Sequence, residues 1–401
     1  MRKSPICVLR ETPTNRYSVN VLVGLIQQAG LPWVVARSGA EVVRLASGAG
    51  RAFALYSFMT PDLPTVRAEV AALRPRLPGV RWLAGGAHPT ADPEGTLAMG
   101  FDHVVVGEAE RVLGPFLRDG DGPSVLRDPD GGPPDLDPYP ARVAGRPGPV
   151  EITRGCRGGC RFCSVGRRRV RHRGLPTVVA AARAMVTEGR RVIRFVTPDA
   201  LAYGGGLKAV ADLLAALRTA GAEPVLGAFP SEVRPERVTP EAVALLRTHC
   251  HNRTLVIGGQ SGSDRVLRFL GRGHTVDDVV QAAARARRGG LRPHVDLIFG
   301  IPGETSEEQA ATVELARLLQ REHGAKIHAH YFHPLPGTPL WGADPTPLDP
   351  KTRAFLERAE RAGTLDGDWR AQIALAQDLR EWASRGWIRA KSTSRPDVPT
   401  S

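Results

Sequence analysis

The chain has 401 residues, of which 42% are hydrophobic and 24% charged, and its formal net charge is +13. This length predicts two or three domains with cores of ordinary size, and the composition is that of a globular protein. No run of eighteen apolar residues is present, so we expect no membrane partner. The five cysteines form no disulfide framework, and the chain enters a strand pattern without a signal-peptide pattern, which predicts a cytoplasmic protein.

The positive charge is carried almost entirely by arginine, and its densest run spans residues 167–173. Two interpretations account for this run: a solvated or substrate-facing loop, and a patch that binds nucleic acid. We favour the loop, because the remaining basic residues are spread over helix surfaces.

Residues 1–118 alternate between short apolar segments and amphipathic segments. This pattern predicts a Rossmann-like, doubly wound parallel sheet, in which ligands bind at the carboxyl ends of the strands. The predicted strands are 5–10, 33–36, 52–57, 81–84 and 103–106, and the predicted helices include 19–29, 41–46 and 66–73.

Residues 119–149 are rich in Gly, Pro and Asp and predict a linker. A second α/β pattern covers residues 150–340, with six strand-like and at least six helix-like segments, and 341–390 predict a helical C-terminal cap before a disordered tail, 391–401. The predicted strands are 150–154, 192–196, 224–229, 254–258, 293–299 and 326–332, and the predicted helices are 177–187, 207–220, 240–248, 264–270, 276–288 and 306–321.

Cys156, Cys160 and Cys163 lie within eight residues, directly after the first strand of this second domain. Closely spaced thiolates hold iron–sulfur clusters, and three cysteines on a four-iron cluster leave one iron open for chemistry. A zinc knuckle and a disulfide pair are the structural alternatives. Zinc prefers four ligands, however, and no fourth cysteine or histidine lies close by in the sequence.

The spacing Cys156-x-x-x-Cys160-x-Phe162-Cys163 resembles the C-x-x-x-C-x-aromatic-C motif of the radical SAM superfamily. Three later blocks also resemble turns of that family: 258–264 with 271–275, 296–305, and 334–339. The resemblance implies a partial (β/α)6 barrel, a [4Fe–4S] cluster bound by the three cysteines, and S-adenosylmethionine (SAM), which the cluster cleaves to an adenosyl radical. It also implies an external one-electron reductant such as flavodoxin or ferredoxin.

The resemblance, together with the polar residues at the predicted strand ends, gives the candidates for SAM binding. We expect these residues to surround the open iron at the mouth of the barrel. They are Phe162, Thr197, Asp199, Ser231, Glu232, Arg234, Gln260, Ser261 and Ile301.

The loops of the first domain, 85–90 and 100–108, resemble the cobalamin-binding domain that precedes many radical SAM domains. The D-x-H-x-x-G motif that supplies a cobalt ligand in classical cobalamin mutases is absent, and a vestigial module without cofactor is the alternative. The candidate cobalamin contacts are Ser57, Met59, Thr60, Gly85, Gly86, His88, Gly107 and Glu108.

These resemblances imply an enzyme, a cobalamin-dependent radical methyltransferase, whose substrate we expect to be a small molecule or natural product. A relative of the tRNA methylthiotransferases and a non-catalytic binding or sensor protein are the alternatives. His328 and His330 share one face of the sixth strand of the barrel and are the candidate acid–base residues, with core hydrogen bonding and, as the less favoured alternative, ligation of a second metal.

Overall fold

The computed structural model describes residues 5–128, 136, 146, 148–166 and 168–391. The chain divides into two compact units. The first contains the residues up to Gly148 together with Leu335–Gly337 and the segment from Arg380, and the second contains Pro149–Pro334 and Thr338–Leu379. Among the described residues, no helix combines the length and the apolar character that a membrane crossing requires.

The first unit is built on a six-stranded parallel sheet of order β2-β1-β3-β4-β5-β6. This is a doubly wound sheet in which the strand order reverses at β1, as the alternating pattern predicts. Its strands are β1 (Ile6–Arg10), β2 (Trp33–Ala36), β3 (Ala52–Ser57), β4 (Val80–Gly85), β5 (His103–Val105) and β6 (Val125–Leu126). Its helices are α1 (Arg16–Gln28), α2 (Gly39–Ala46), α3 (Leu63–Leu73), α4 (Ala87–Ala91), α5 (Pro93–Ala98) and α6 (Leu113–Asp119).

The central strand β3 is buried along its whole length, because helices cover both faces of the sheet. One core cluster packs Phe53 and Leu55 of β3 against Phe116 of α6 and Val23 of α1. The burial of these apolar side chains holds the helices against the sheet and leaves the carboxyl ends of the strands open to loops.

The second unit is a partial barrel of parallel strands with one additional antiparallel hairpin. Its strands are β7 (Val150–Glu151), β8 (Thr153–Cys156), β9 (Arg168–His172), β10 (Val192–Val196), β11 (Glu223–Val225), β12 (Thr254–Gln260), β13 (Arg292–Phe299), β14 (Lys326–Tyr331) and β15 (Leu365–Asp366). Its helices are α7 (Leu175–Thr187), α8 (Leu207–Thr219), α9 (Pro240–His249), α10 (Asp264–Phe269), α11 (Val276–Arg288), α12 (Ser306–His323), α13 (Pro350–Arg361) and α14 (Trp369–Ser384).

Sequential neighbours pair in parallel around the barrel, in two sheets of order β7-β10-β11 and β12-β13-β14-β15. The backbone joins the two sheets, since the N–H of Val256 donates to the carbonyl of Gly227 at 2.8 Å. Strand β11 ends earlier than the sequence predicts. The side chain of Asn252 bonds both backbone groups of Leu226 and replaces the ladder hydrogen bonds there.

Two features of the second unit differ from the expected helical end. Residues Leu365–Asp366 form a seventh parallel strand, β15, which pairs with β14 through His328 and Asp366. The chain then enters α14, whose last residues are assigned with the first unit.

The predicted helix over 306–321 is present as α12, and it begins with a capping box formed by Thr305 and Glu308.

Candidate active site

The three clustered cysteines lie on and after β8, at the mouth of the barrel. Cys156 is the last residue of β8, and its sulfur accepts a hydrogen bond from the backbone N–H of Gly158 at 3.2 Å. An ideal Cβ at Gly158 would lie 3.2 Å from the sulfur of Cys156 and 3.7 Å from that of Cys160. The two sulfur atoms therefore flank the same glycine, and this proximity fits thiolates that share one cluster.

The cysteine loop stands on a buried ion-pair network. Glu151 accepts hydrogen bonds from Arg154 at 2.9 and 2.8 Å and from the fully buried Arg173 at 2.9 Å. Gly155 has φ +84°, and a Cβ there would lie 2.1 Å from the carbonyl oxygen of Arg169, so a side chain is excluded. These contacts fix the hairpin of β8 and β9 that presents the first cysteine.

The basic run after the cysteines is part of this hairpin. Strand β9 pairs antiparallel with β8, and Nδ1 of His172 lies 2.9 Å from the hydroxyl of Thr153. Arg168 and Arg169 are exposed, whereas Arg173 is buried in the network of Glu151. The described part of the run therefore combines two exposed arginines with side chains that support the cysteine loop.

A cavity of about 360 Å³ adjoins the cysteine loop. Several charged residues line it, including Asp199, Arg234, Glu236 and Arg237. Arg237 donates to one carboxylate oxygen of Asp199 at 2.7 Å, while the other oxygen of Asp199 is buried and has no partner among the described residues. Burial raises the pKa of Asp199, although the charges of Arg237 and Arg234 act against the shift. The cavity thus offers both signs of charge to a zwitterionic ligand.

Arg272, which was not among the sequence candidates, reaches the cysteine loop from the segment after α10. Its Nη1 lies 3.3 Å from the sulfur of Cys160, and its Nη2 donates to the carbonyl of Gly258 at 2.8 Å. The signal in the sequence was the arginine of the block 271–275. Gln260 ends β12 nearby with φ +72°, a strained value for a residue other than glycine.

Two carboxyl groups lie on the inner side of the barrel. Burial raises the pKa of Glu232, and it raises that of Asp296 well above its ordinary value. The charges of Glu232 and Asp366 also raise the pKa of Asp296, and only Arg272 opposes them. Asp296 was missed as a site residue because its block suggested a backbone turn.

The other SAM candidates are engaged in local structure. The hydroxyl of Ser231 donates to the carbonyl of Ala228 at 2.7 Å, and the hydroxyls of Ser261 and Thr312 are 3.3 Å apart. Thr197 donates to the backbone carbonyl of Asp199 at 3.2 Å. The motif aromatic, Phe162, packs against an apolar cluster that includes Ile301, so these two candidates do share one surface.

The candidate acid–base residues face the interior of the barrel. Along β14 the alternate residues Ile327, Ala329 and Tyr331 are buried against helices, so His328 and His330 point to the other side. Nδ1 of His328 lies 2.6 Å from a carboxylate oxygen of Asp366 on β15. Burial lowers the pKa of His330 to about 4, and this imidazole is therefore neutral near pH 7.

The sequence candidates for cobalamin gather at the carboxyl edge of the sheet in the first unit. Ser57 ends β3, Gly85 ends β4, and the backbone N–H of Gly107 donates to the hydroxyl of Thr90 at 3.0 Å. A Cβ at Gly107 would meet no atom within 4 Å, so this part of the edge is open. Met59 is 46% exposed beside it, and Glu108 is partly buried.

Gly86 and His88 lie in the segment after β4, which packs closely against the end of β3. Gly86 has φ +101°, and a Cβ there would lie 2.9 Å from the carbonyl oxygen of Phe58. His88 is fully buried, with Nδ1 3.2 Å from the hydroxyl of Thr60 and Nε2 without a partner among the described residues. Burial lowers the pKa of His88 to about 4. The glycine at position 86 lets the loop lie close to the sheet edge, which fits a large flat ligand above the loops.

Two family models match consecutive parts of the chain: the B12 binding domain over residues 17–116 and the radical SAM superfamily over residues 150–316. An uncharacterized protein of Methanopyrus kandleri, MK0932, is 27% identical over 377 residues, which cover 76% of this chain and 70% of that protein. The tRNA-2-methylthio-N(6)-dimethylallyladenosine synthase of Chlorobium phaeovibrioides is 30% identical over 230 residues. That alignment covers 54% of this chain and only half of the synthase.

Among solved structures, the radical S-adenosylmethionine methyltransferase TsrM from Kitasatospora setae has a similar fold, with a TM-score of 0.65 at 17% sequence identity. The alignment covers 90% of this chain and 79% of TsrM. The TsrM structure contains cobalamin and a [4Fe–4S] cluster. At this level of identity, the likeness shows the fold alone.

The chain therefore carries a B12 binding domain ahead of a radical SAM domain. This combination of domains supports a cobalamin-dependent radical SAM enzyme. Its cofactors are accordingly a [4Fe–4S] cluster, SAM and cobalamin, as the sequence resemblance implied. The converging sulfur atoms, the charged cavity and the open sheet edge fit these three groups.

Proposed function

We propose that the protein is a cobalamin-dependent radical SAM methyltransferase that acts on a small molecule or natural product. The observation that carries this proposal is the pair of sulfur atoms, of Cys156 and Cys160, that flank one glycine beside a charged cavity, in a chain that also has a B12 binding domain. When bound, the cluster supplies the electron that cleaves SAM, and cobalamin carries a methyl group to the substrate.

In this proposal Cys156, Cys160 and Cys163 are the protein ligands of the cluster. Three sulfur ligands leave the fourth iron open, and the adjoining cavity is where a chelating ligand reaches it. The network of Glu151 holds the strand that carries Cys156, so the loop is preorganised before the cluster binds.

The charged residues of the cavity orient SAM. Asp199 has an unpartnered carboxylate oxygen for the ammonium of SAM, and the guanidinium of Arg234 can meet its carboxylate. Gln260 at the end of β12 and Asp296 on β13 offer an amide and a carboxyl to the hydroxyl groups of the adenosine. Glu232 lies with Asp296 on the inner side, where its carboxyl can bind a polar group of SAM or substrate.

The loops after β3, β4 and β5 bind cobalamin in this proposal. Gly86 allows the backbone to approach the flat ligand closely, and Gly107 leaves the edge open. His88 is buried behind the loop, which agrees with a corrinoid that takes no protein histidine as its lower ligand. The absence of the D-x-H-x-x-G motif supports the same arrangement.

The resemblance to tRNA methylthiotransferases is confined to part of the chain. Cys7 is the one cysteine that precedes residue 156, and it is fully buried in β1. The resemblance to that family implies a second three-cysteine cluster in the N-terminal domain, and this chain has no ligand set for one before residue 156. We therefore favour methyl transfer over methylthiolation.

The test is a set of anaerobic incubations of the reconstituted full-length protein with SAM and a one-electron reductant, with and without hydroxocobalamin. We expect 5′-deoxyadenosine in both incubations and S-adenosylhomocysteine only with cobalamin. Cys160→Ala should abolish 5′-deoxyadenosine formation, because the cluster is lost. Formation of 5′-deoxyadenosine without any cobalamin-dependent S-adenosylhomocysteine would contradict the methyltransferase assignment and leave radical chemistry in place.

A further inference from the structure

The interior of the barrel carries a second cluster of potential metal ligands, separate from the cysteines. His294 on β13, His328 on β14 and Asp366 on β15 contribute Nε2, Nδ1 and a carboxylate oxygen that all lie within 4.8 Å of one another. Both imidazoles reach the same oxygen, Oδ1 of Asp366, at 3.1 Å from His294 and 2.6 Å from His328.

All three side chains point into the barrel because of side-chain alternation along the strands and the register between them. On β13 the alternate residues Pro293, Val295 and Leu297 are buried against helices, so His294 points into the barrel. Register places His328 directly beside Asp366, and His294 pairs with Lys326, two residues before His328 on the same face of β14. The arrangement is thus set by backbone pairing on three adjacent strands.

The interior of a barrel is normally filled by branched apolar side chains. Here the side chains of His294, His328 and Asp366 retain 23, 34 and 37% of their exposure, so water and ions can reach them. A partly exposed polar cluster at this position does not fill the core of the barrel. A role in binding a ligand would explain why these residue types are found there.

We propose that His294, His328 and Asp366 bind a divalent transition-metal ion of the Zn²⁺ type inside the barrel. Two imidazoles and one carboxylate form the ligand set of catalytic zinc sites that keep a position open. Tetrahedral bonds of about 2.0–2.1 Å require ligand atoms about 3.3 Å apart, so the observed spacing needs only side-chain adjustment. Because three protein ligands leave a position free, the ion can take a donor atom of the substrate.

Lys326 determines which oxygen of the Asp366 carboxylate is available to the metal ion. Its ammonium lies 2.7 Å from Oδ2 of Asp366, on the oxygen that the histidines do not use. This ion pair keeps the carboxylate monodentate toward the metal and fixes its orientation. The same positive charge repels the ion, so Lys326→Met should tighten binding if the oxygen stays in place.

The experiment measures zinc and iron per chain on the full-length, cluster-loaded protein, after incubation with Zn²⁺ and anaerobic gel filtration. We expect one zinc per chain in the wild type, with iron unchanged. His294→Gln, His328→Gln and Asp366→Asn should each lose the zinc and keep the iron. His333→Gln, a histidine two residues beyond β14, is the matched control and should keep both.

X-ray absorption at the zinc edge of the wild type tests the site without any variant. The expected shell contains two imidazoles and oxygen, and no sulfur. Sulfur in the shell would assign the zinc to the cysteine loop and overturn the proposal, as would the absence of retained zinc. Zinc that persists in all three ligand variants would also overturn it. Because iron is measured in parallel, failure of this proposal is distinguishable from failure of the cluster assignment.

Discussion

Nη1 of Arg272 lies 3.3 Å from the sulfur of Cys160, while the same guanidinium binds the carbonyl of Gly258. The residue thereby links β12 to the cysteine loop. Hydrogen bonds to sulfur favour the reduced, more negatively charged form of an iron–sulfur cluster.

Arg272→Met should therefore lower the reduction potential of the cluster while iron binding is retained. An anaerobic redox titration followed by paramagnetic resonance measures the potential. Arg268→Met, at an exposed arginine on the preceding helix, is the control and should leave the potential unchanged. A wild-type potential in Arg272→Met with full iron content would mean that the guanidinium does not donate to the sulfur in the loaded protein.

Removal of any clustered cysteine should abolish the cluster. Alanine at position 156, 160 or 163 takes away one of three ligands, so we expect the iron content after anaerobic reconstitution to fall to background. Cys250→Ala is the matched control, since burial raises the pKa of that thiol to about 12 and keeps it unreactive. Iron retained in Cys160→Ala, or lost in Cys250→Ala, would refute the ligand assignment.

Arg234→Ala should weaken SAM binding by roughly 1.5–3 kcal/mol, the usual contribution of a hydrogen bond to a charged group. Calorimetric titration of the cluster-loaded protein with SAM measures this difference. Arg183→Ala, at an exposed arginine on α7, should bind SAM like the wild type. Equal affinities in all three proteins would mean that SAM binds elsewhere.

Cobalamin should remain bound to the first unit without a protein nitrogen on cobalt. Hydroxocobalamin is added to the protein, the excess is removed by gel filtration, and the reduced cofactor is examined by paramagnetic resonance. We expect no nitrogen hyperfine splitting from the protein, in the wild type and in His88→Gln alike. A splitting that disappears in His88→Gln would identify His88 as a cobalt ligand.

Gly86→Ala should impair that retention, because the new Cβ would lie 2.9 Å from the carbonyl oxygen of Phe58 at a φ of +101°. The loop would have to move away from the sheet edge. Gly79→Ala, at a position where a Cβ meets no atom within 4 Å, is the control. Full retention by Gly86→Ala would show that this loop does not contact the corrinoid.

Glu304 should make the stability of the protein depend on pH. Burial raises its pKa from 4.5 to about 8, against the opposing hydrogen bonds from the N–H groups of Gly300 and Ile301. The folded state then binds more protons than the unfolded state between about pH 4.5 and pH 8, so the free energy of unfolding falls as pH rises through this range.

Glu304→Gln should remove this part of the decline. Denaturant unfolding at about pH 5 and about pH 8.5 measures it, and we expect a smaller difference between the two pH values than in the wild type. Glu307→Gln, at a fully exposed site in the first turn of α12, should keep the wild-type difference. A wild-type difference in Glu304→Gln would mean that another group titrates.

Much of the fold was predictable because each element repeats a local pattern. The strands β1, β2 and β3 and helices α8 and α11 lie within one or two residues of their predicted bounds, since their apolar periodicity and flanking turns are strong. Strand β15 was not predictable. Two residues carry no periodicity, and only the register with β14 makes them a strand.

The site was predictable where the sequence places the ligands close together. The spacing of the cysteines predicts a shared cluster at Cys156, Cys160 and Cys163. Asp366, in contrast, is far from His328 in the sequence, and only the fold brings the two side chains into contact. Ser231 and Ser261 show where prediction from the sequence failed. Their positions at strand ends suggested ligand binding, but both hydroxyl groups contact other protein groups, and no sequence pattern encodes these contacts.

The return of the chain to the first unit has a consequence for dissecting this enzyme. Oδ2 of Asp92 accepts the backbone N–H of Arg389 at 2.9 Å, and the guanidinium of Arg67 lies 4.8 Å from the ring of Trp387. A fragment that ends at Gly148 would carry all six strands of the sheet and lack both partners. Corrinoid affinity measured on such a fragment would describe a first unit that lacks its C-terminal segment, and co-expression with a peptide covering residues 380–391 is the way to restore these contacts.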